Sequence, residues 1–196
     1  MSQVSVLGID YSISSPGLCL YNGDTYQWWV KYLPKGKEFT SPANNVTFTP
    51  YPDVEGIPRY LGLTNWVEQV LADNILSSYP IKYVWMEDYA FGANGRLTQL
   101  AENAGILKAR LHQNWPTICF KTIAPGTLKK FATGSGHAKK EQMWESFVKD
   151  YPDAVGWPKI VFPKSKSLKI PSPLNDLADA FYLARYGYSF FNQKKA

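Results

Sequence analysis

Four acidic residues carry the chemistry that this sequence could perform. Asp10 closes the apolar run Val4-Ser5-Val6-Leu7-Gly8-Ile9-Asp10, Glu87 closes Ile81-Lys82-Tyr83-Val84-Trp85-Met86-Glu87, and Asp176 and Asp179 stand three apart in the segment Pro171-Ser172-Pro173-Leu174-Asn175-Asp176-Leu177-Ala178-Asp179-Ala180. Carboxylates held close together raise one another's pKa, so such a cluster is unfavourable unless something positive sits among them. Hard divalent cations, Mg²⁺ or Mn²⁺, prefer oxygen ligands. A pair of these ions roughly 4 Å apart can activate a water and stabilise the leaving oxygen of a phosphodiester. Each acid also has an ordinary explanation, since a strand-end Asp is often a turn former or cap and a D-x-x-D pair at a helix start complements the helix dipole. Taken together, in strand, strand, helix order, they favour one shared site for metal-assisted phosphodiester chemistry.

Those acids need elements to hold them. The run ending at Asp10 reads as a buried strand, broken by Ser14-Ser15-Pro16-Gly17. Two further strands, Gly17 to Tyr21 and Tyr26 to Tyr32, follow with Asn22-Gly23-Asp24 as their turn, which predicts a three-stranded meander. Residues 33 to 55, rich in Pro, Lys, Thr and Asn, read as a long exposed loop, and a second long loop is expected over 155 to 171. Leu63, Trp66, Val67, Val70, Leu71 and Ile75 line one side of an amphipathic helix that leads into the strand ending at Glu87. After the glycine-rich loop Phe91-Gly92-Ala93-Asn94-Gly95, a second helix keeps the three-four spacing through Leu97, Leu100, Ala104, Leu107 and Leu111, and Pro116 stops it. Thr117 to Lys121 reads as a fifth strand, with two helices beyond it. Ser172 as N-cap and Pro173 as first helical residue start the last helix, which puts Asp176 and Asp179 on one face. The expectation is a single α/β domain over 1–196, a five-stranded mixed sheet flanked by helices.

Composition narrows the setting. The chain has 196 residues, 45% of them hydrophobic, enough for one good core. No apolar run approaches the roughly 20 residues of a membrane span, and Met1-Ser2-Gln3-Val4 does not start a signal peptide, so a cytoplasmic protein is expected. Cys19 and Cys119 lack metal-ligand spacing and read as free, buried thiols. The formal net charge of +5 is localised: residues 121 to 170 hold ten lysines and four acids, whereas the remaining 146 residues hold 11 basic and 12 acidic. Lys129, Lys130, Lys139 and Lys140 flank Thr133-Gly134-Ser135-Gly136-His137, where the glycines permit close backbone approach. A basic patch of this kind attracts phosphate backbones with steep salt dependence. The later lysines, Lys159, Lys164, Lys166 and Lys169, are equally well explained as a solvated face.

Three antiparallel strands followed by α/β units, with acids on the first strand, a later strand and the last helix, resemble the ribonuclease H-like nuclease fold. Within it the chain resembles the RuvC family of Holliday junction resolvases, over four segments. Leu7-Gly8-Ile9-Asp10 with Gly17 is similar to the family's first acidic motif, and Met86-Glu87-Asp88 with Phe91, Gln99 and Gly105 to its second. The stretch from Lys129-Lys130 to Gly134-Ser135-Gly136-His137-Ala138-Lys139-Lys140-Glu141-Gln142 resembles its basic DNA-contacting segment, and Asn175 to Ala180 its C-terminal acidic helix. After Asp10 the bacterial pattern continues with Pro-Gly, whereas Tyr11-Ser12 stands here, a variation of phage-type members.

The resemblance implies that Asp10, Glu87, Asp176 and Asp179 bind two Mg²⁺ ions, with Mn²⁺ able to substitute. It implies that Lys129 and Lys140, with neighbouring Lys130 and Lys139, contact the DNA backbone, and that Phe91 stacks on opened junction bases, although core packing explains Phe91 equally well. It further implies a homodimer that places paired nicks in a two-fold junction, with the helix from Leu97 to Leu111 as candidate interface. A ribonuclease H-type hydrolase of RNA–DNA hybrids would use the same acids. An actin-like or sugar-kinase ATPase would share the opening strand but leave Asp176 and Asp179 without a role. A non-catalytic junction-binding protein would not need the carboxylates.

Overall fold

Residue alternation along the first strand decides which side of the sheet each layer occupies. The structure, a computed structural model, describes residues 4–34, 38–75, 78–88, 97–164 and 170–193. Strand β1 (Ser5–Asp10) pairs antiparallel with β2 (Gly17–Tyr21), which pairs antiparallel with β3 (Tyr26–Tyr32). This is the expected meander. Its turn is closed by Asn22, whose side-chain oxygen accepts the backbone N–H groups of Asp24 and Thr25 at 3.0 and 2.8 Å. On the other side of β1 lie β5 (Ile81–Glu87) and β6 (Cys119–Ile123), each parallel to its neighbour, so the sheet order is β4-β3-β2-β1-β5-β6.

The sheet has six strands rather than five. The added strand, β4 (Val46–Pro50), lies inside the segment read as a loop over 33–55 and pairs parallel with β3, from Trp28 opposite Val46 to Tyr32 opposite Pro50. Val46-Thr47-Phe48-Thr49 is an alternating run of β-forming residues. It is short, its flanks are polar, and Pro50 is tolerated because β4 is an edge. The second expected loop is also partly ordered, by a 3₁₀ turn (Pro152–Gly156) and the short helix α5 (Trp157–Val161), which bury Ala154, Trp157 and Val161.

Helices cover both faces. Leu7 and Ile9 of β1, with Leu18, Val84 and Met86, meet α1 (Ile57–Ile75) and α2 (Leu97–Asn114), whose Leu63, Val67, Leu71, Leu107 and Leu111 are buried as their spacing predicts. Across that layer Glu68 of α1 accepts from Arg110 at 2.5 Å and from Asn114 at 2.6 Å on α2. Val6, Cys19, Trp28, Val30 and Trp85 point the other way, into a larger core made with α3 (Pro125–Thr133), α4 (Lys140–Asp150), α5 and α6 (Leu174–Gln193). That core is aromatic: the Trp28 ring meets Trp157 edge-on at 5.6 Å between centroids, and Phe181 meets Phe147 at 4.9 Å. Cys19 is buried as expected, but Cys119, at the start of β6, is only half-buried. Among the described residues no helix is long and apolar enough to cross a membrane.

The last helix sits unusually close to the sheet. A methyl group added at Gly8 would overlap the carbonyl oxygen of Ala180 and the amide nitrogen of Ala184, and one added at Gly17 would lie 2.8 Å from the carbonyl oxygen of Asp176. Only glycine at these two places lets α6 lie across β1 and β2 at this distance. The Gly8→Ala variant is therefore expected to lose about 1–3 kcal/mol or more through overpacking, read as a lower urea midpoint at unchanged slope. A midpoint equal to that of the parent protein would show that α6 is not so tightly seated.

Candidate active site

Strand pleating delivers the first two acids. Val6, Gly8 and Asp10 share one face of β1, and Tyr83, Trp85 and Glu87 share the same face of β5. Because Ile9 lies opposite Met86 in the parallel pair, Asp10 and Glu87 emerge side by side at the C-terminal edge of the sheet, on the side covered by α6. The first turns of α6 then lower Asp176 and Asp179 onto that edge. Asp176 is only 6% exposed. Its carboxylate accepts the Ser15 hydroxyl at 2.5 Å and is also hydrogen-bonded to Ser172.

Neither serine was recognised as part of a site from sequence. Ser15 reads as a turn residue, and only the fold carries the β1–β2 turn beneath α6. Ser172 reads as the N-cap, but α6 begins at Leu174, one residue later than expected, and the Ser172 hydroxyl goes to Asp176 instead. The Asp10 carboxyl lies beside that of Asp176 and adds to the interactions that act on it.

The electrostatics follow from this crowding. Burial, and then the charges of Asp176, Asp179 and Glu87, hold Asp10 well above the ordinary carboxylate range, with Lys140 acting in the opposite direction. Burial raises Glu87 too, opposed by Lys129 and Lys140. Asp179 is pushed up to about 7 by burial and by Glu87 and Asp176, again against Lys140 and Lys129. Asp176 is raised by burial, while the Ser15 and Ser172 hydrogen bonds and Lys140 partly offset it. All four acids therefore belong to one electrostatic unit, and Lys140 acts on every member.

The basic segment divides accordingly. Lys129, half-buried on α3, and Lys140, the first residue of α4, lie within the field of the acids. Lys130 and Lys139 are exposed. Their backbones shape the connection: the Lys130 carbonyl accepts the N–H of Gly134, whose φ of 81° ends α3, and the Lys139 N–H donates to the Gln142 side chain at 2.8 Å to start α4. Phe91, Lys166 and Lys169 lie outside the described residues.

The donor set fits a hard cation by its chemistry. It consists of buried oxygen ligands whose common ionisation is unfavourable without added positive charge. In the rotamers described, no group of three or more His, Cys, Asp or Glu side chains among the described residues closes around one point. Beside the acids a cavity of about 210 Å³ runs between the strand ends and α2, lined by Asp10, Tyr11, Glu87, Asp88, Leu100 and Ala104 among others.

No known family model and no curated protein matches the sequence. Solved structures do match. Thermus thermophilus RuvC aligns with a TM-score of 0.56 at 18% identity, covering 98% of this chain and 97% of that one. T. thermophilus RuvC in complex with a Holliday junction substrate aligns with a TM-score of 0.58 at 19% identity, over 98% and 96%. The chain has the RuvC fold. The yeast mitochondrial Holliday junction resolvase aligns with a TM-score of 0.53 at 14% identity, over 99% of this chain and 85% of that one. This is the ribonuclease H-like architecture, and the additional edge strand β4 of this protein sits at the far side of its sheet from β6.

A pH signature follows from Asp179. Folded protein holds the Asp179 proton up to about 7, whereas the unfolded chain releases it near the ordinary 3.8. Between those values the unfolded state binds fewer protons, so metal-free stability falls as pH rises. In chelator at pH 8, Asp179→Asn is expected to melt higher than the parent, by roughly 2–4 °C for each kcal/mol recovered, and to flatten the loss of stability between about pH 4 and pH 7. A variant that melts lower at pH 8 with the same pH slope would refute the strained-carboxylate account.

Proposed function

We propose that the protein is a metal-dependent endonuclease that resolves four-way or other branched DNA by paired nicks. The observation that carries this is the convergence of Asp10, Glu87, Asp176 and Asp179 at one sheet edge beneath Lys129 and Lys140. In support, the backbone has the fold of RuvC, and one of the structures it resembles was determined with a Holliday junction substrate.

In this reading the four carboxylates hold two Mg²⁺ ions, which Mn²⁺ can replace. When bound, such ions lower the pKa of a water to make a nucleophile and stabilise the leaving oxygen. The protein's own groups do the rest. Ser15 and Ser172 hold the Asp176 carboxylate in one orientation and reduce the cost of its ionisation. Lys140 and Lys129 draw a phosphodiester toward the acids, which would otherwise repel it. The exposed Lys130 and Lys139 extend that attraction along the backbone on either side of the Gly134–Gly136 connection. Two symmetric nicks in a two-fold junction call for two copies of the site, so the active form is a homodimer, with the exposed face of α2 as the candidate contact. Tyr11-Ser12 after Asp10 supports the phage-type variant of this reading.

On a synthetic mobile junction mapped on all four strands, Asp10→Asn is expected to abolish Mg²⁺-dependent cleavage while junction binding survives. Undiminished cleavage by that variant would sink the proposed chemistry. For Lys140→Ala, log–log plots of affinity against salt should lose about one unit of slope, the share of one phosphate contact. An unchanged slope would remove Lys140 from the DNA interface.

A further inference from the structure

The turn that carries Ser15 to Asp176 is held from outside the site. It runs from Tyr11 to Pro16 between β1 and β2, and three of its carbonyl groups are bonded to β3 or to the residue after β4. The Pro16 carbonyl accepts the Lys31 N–H at 3.1 Å, and the Ser14 carbonyl accepts the Leu33 N–H at 3.3 Å. The Ile13 carbonyl accepts the hydroxyl of Tyr51. Inside the turn, the Ser12 hydroxyl oxygen accepts the Ser15 N–H at 2.9 Å. With the backbone fixed in this way, the Ser15 hydroxyl is directed at Asp176, to which it donates at 2.5 Å.

The bonds to Lys31 and Leu33 come with the meander itself, but the bond to Tyr51 does not. Tyr51 follows directly on the edge strand β4, and its N–H donates to the Tyr32 carbonyl at 3.1 Å. Its side chain is buried in the core on the α1 side of the sheet, together with Tyr11 and Leu63. Burial pushes the Tyr51 phenol up to about 12, so it remains a donor at any working pH. A phenylalanine would fill the same apolar place. Only the bond to Ile13 needs the hydroxyl. Tyr11 anchors the start of the turn in a similar way, its hydroxyl paired with that of Thr64 on α1 at 3.0 Å. The chain leaving Asp10 is thus pinned at its first residue by α1 and at its middle by Tyr51.

We infer that Tyr51 is a positioning residue for the carboxylate cluster: by holding the Ile13 carbonyl it fixes the turn in which Ser15 meets Asp176. The inference rests on the nuclease reading and goes beyond it, because it gives the edge strand β4 a task at the site. Ser15 holds one oxygen of the Asp176 carboxylate, Oδ2, and so sets the direction of the other. Partners of this kind orient the groups that ligate a cation, and losing one weakens the cation's binding. A hydrogen bond weakens steeply when its angle or length drifts, so a loosened turn orients Asp176 less well. The action of Tyr51 is relayed in three steps, from its hydroxyl to Ile13, along the turn to Ser15, and from Ser15 to Asp176.

The test reads metal binding as well as cleavage. Tyr51→Phe keeps the ring and removes the hydroxyl. Half-saturation of the DNA-free protein by Mn²⁺, followed by electron paramagnetic resonance, should then need roughly fivefold more metal, the size of one ordinary hydrogen bond. The Mg²⁺ concentration for half-maximal single-turnover junction cleavage should rise likewise, while junction affinity without metal stays at the parent value. Ser15→Ala should shift both concentrations at least as far, and adding Tyr51→Phe to it should shift them no further, since Tyr51 acts through Ser15. Tyr21→Phe removes a comparable bond, from a tyrosine hydroxyl to the Gly23 carbonyl at 2.7 Å in the β2–β3 turn, and should change neither. Tyr51→Met, equally without a donor, replaces Tyr51→Phe if circular dichroism shows that variant unfolded. Unchanged metal dependence, with or without a lower urea midpoint, overturns the inference, as do effects of Tyr51→Phe and Ser15→Ala that multiply. Both results leave the nuclease reading intact. A parent protein that binds Mn²⁺ but cuts no DNA removes the nuclease reading, while the Mn²⁺ comparison still decides the role of Tyr51. One that binds neither metal nor DNA removes both.

Discussion

The seating of α6 on β1 and β2 is the contact on which the rest of the molecule depends. Helix backbone and strand backbone approach so closely at Gly8 and Gly17 that a single methyl group has no room. This brings a helix turn bearing two acids against a strand end bearing a third, with a fourth alongside on β5. Had either glycine been alanine, α6 would have to lift from the sheet, and Asp176 and Asp179 would move away from Asp10. Ala178, Ala180 and Ala184 on the buried side of α6 keep the helix itself slim enough for that approach.

Close seating carries an electrostatic cost that shapes the site. Four carboxylates removed from water cannot all ionise together, and the protein answers in two ways. Part of the answer is internal: Ser15 and Ser172 donate to Asp176, and Lys140 and Lys129 sit at the margin of the cluster. The remainder is left uncompensated, which is why Asp10, Glu87 and Asp179 stay above the ordinary carboxylate range. An arrangement that destabilises its own charge in this way is relieved by protonation or by a positive ligand among the carboxylates. The two lysines belong to separate helices, and the turn made by Gly134 folds α3 back toward α4 so that both reach the same acids.

Much of this was legible before any coordinates. Apolar runs ending in acids marked β1 and β5, the Asn-Gly-Asp turn marked the meander, and three-four spacing marked the buried sides of α1 and α2, because those signals are local and strong. Strand β4 escaped because five residues between polar, Lys- and Pro-containing flanks do not outweigh their surroundings, and its pairing partner, β3, lies well before it in the chain. The short helix α5 escaped for a related reason. Its stability comes from burying Trp157 and Val161 against an aromatic core assembled from distant segments, and nothing in its five residues announces a helix.

What the sequence by itself determined is the inventory: which acids end strands, which pair shares a helix face, where the lysines gather, and an order of elements compatible with few topologies. Local periodicity and turn chemistry suffice for that, because they depend on neighbours in the chain. Tertiary structure alone decided which of those groups act together. It brought half-buried Lys129 and exposed Lys140 within the field of the acids, while the equally exposed Lys130 and Lys139 are not among the charges that act on them. It turned Ser15 and Ser172 from turn and cap residues into partners of Asp176. It also tied the turn that carries Ser15 to Tyr51, beyond β4. Ser15 and Asp176 are 161 residues apart, and no local pattern in a chain records a contact made only when the last helix closes onto the first strand.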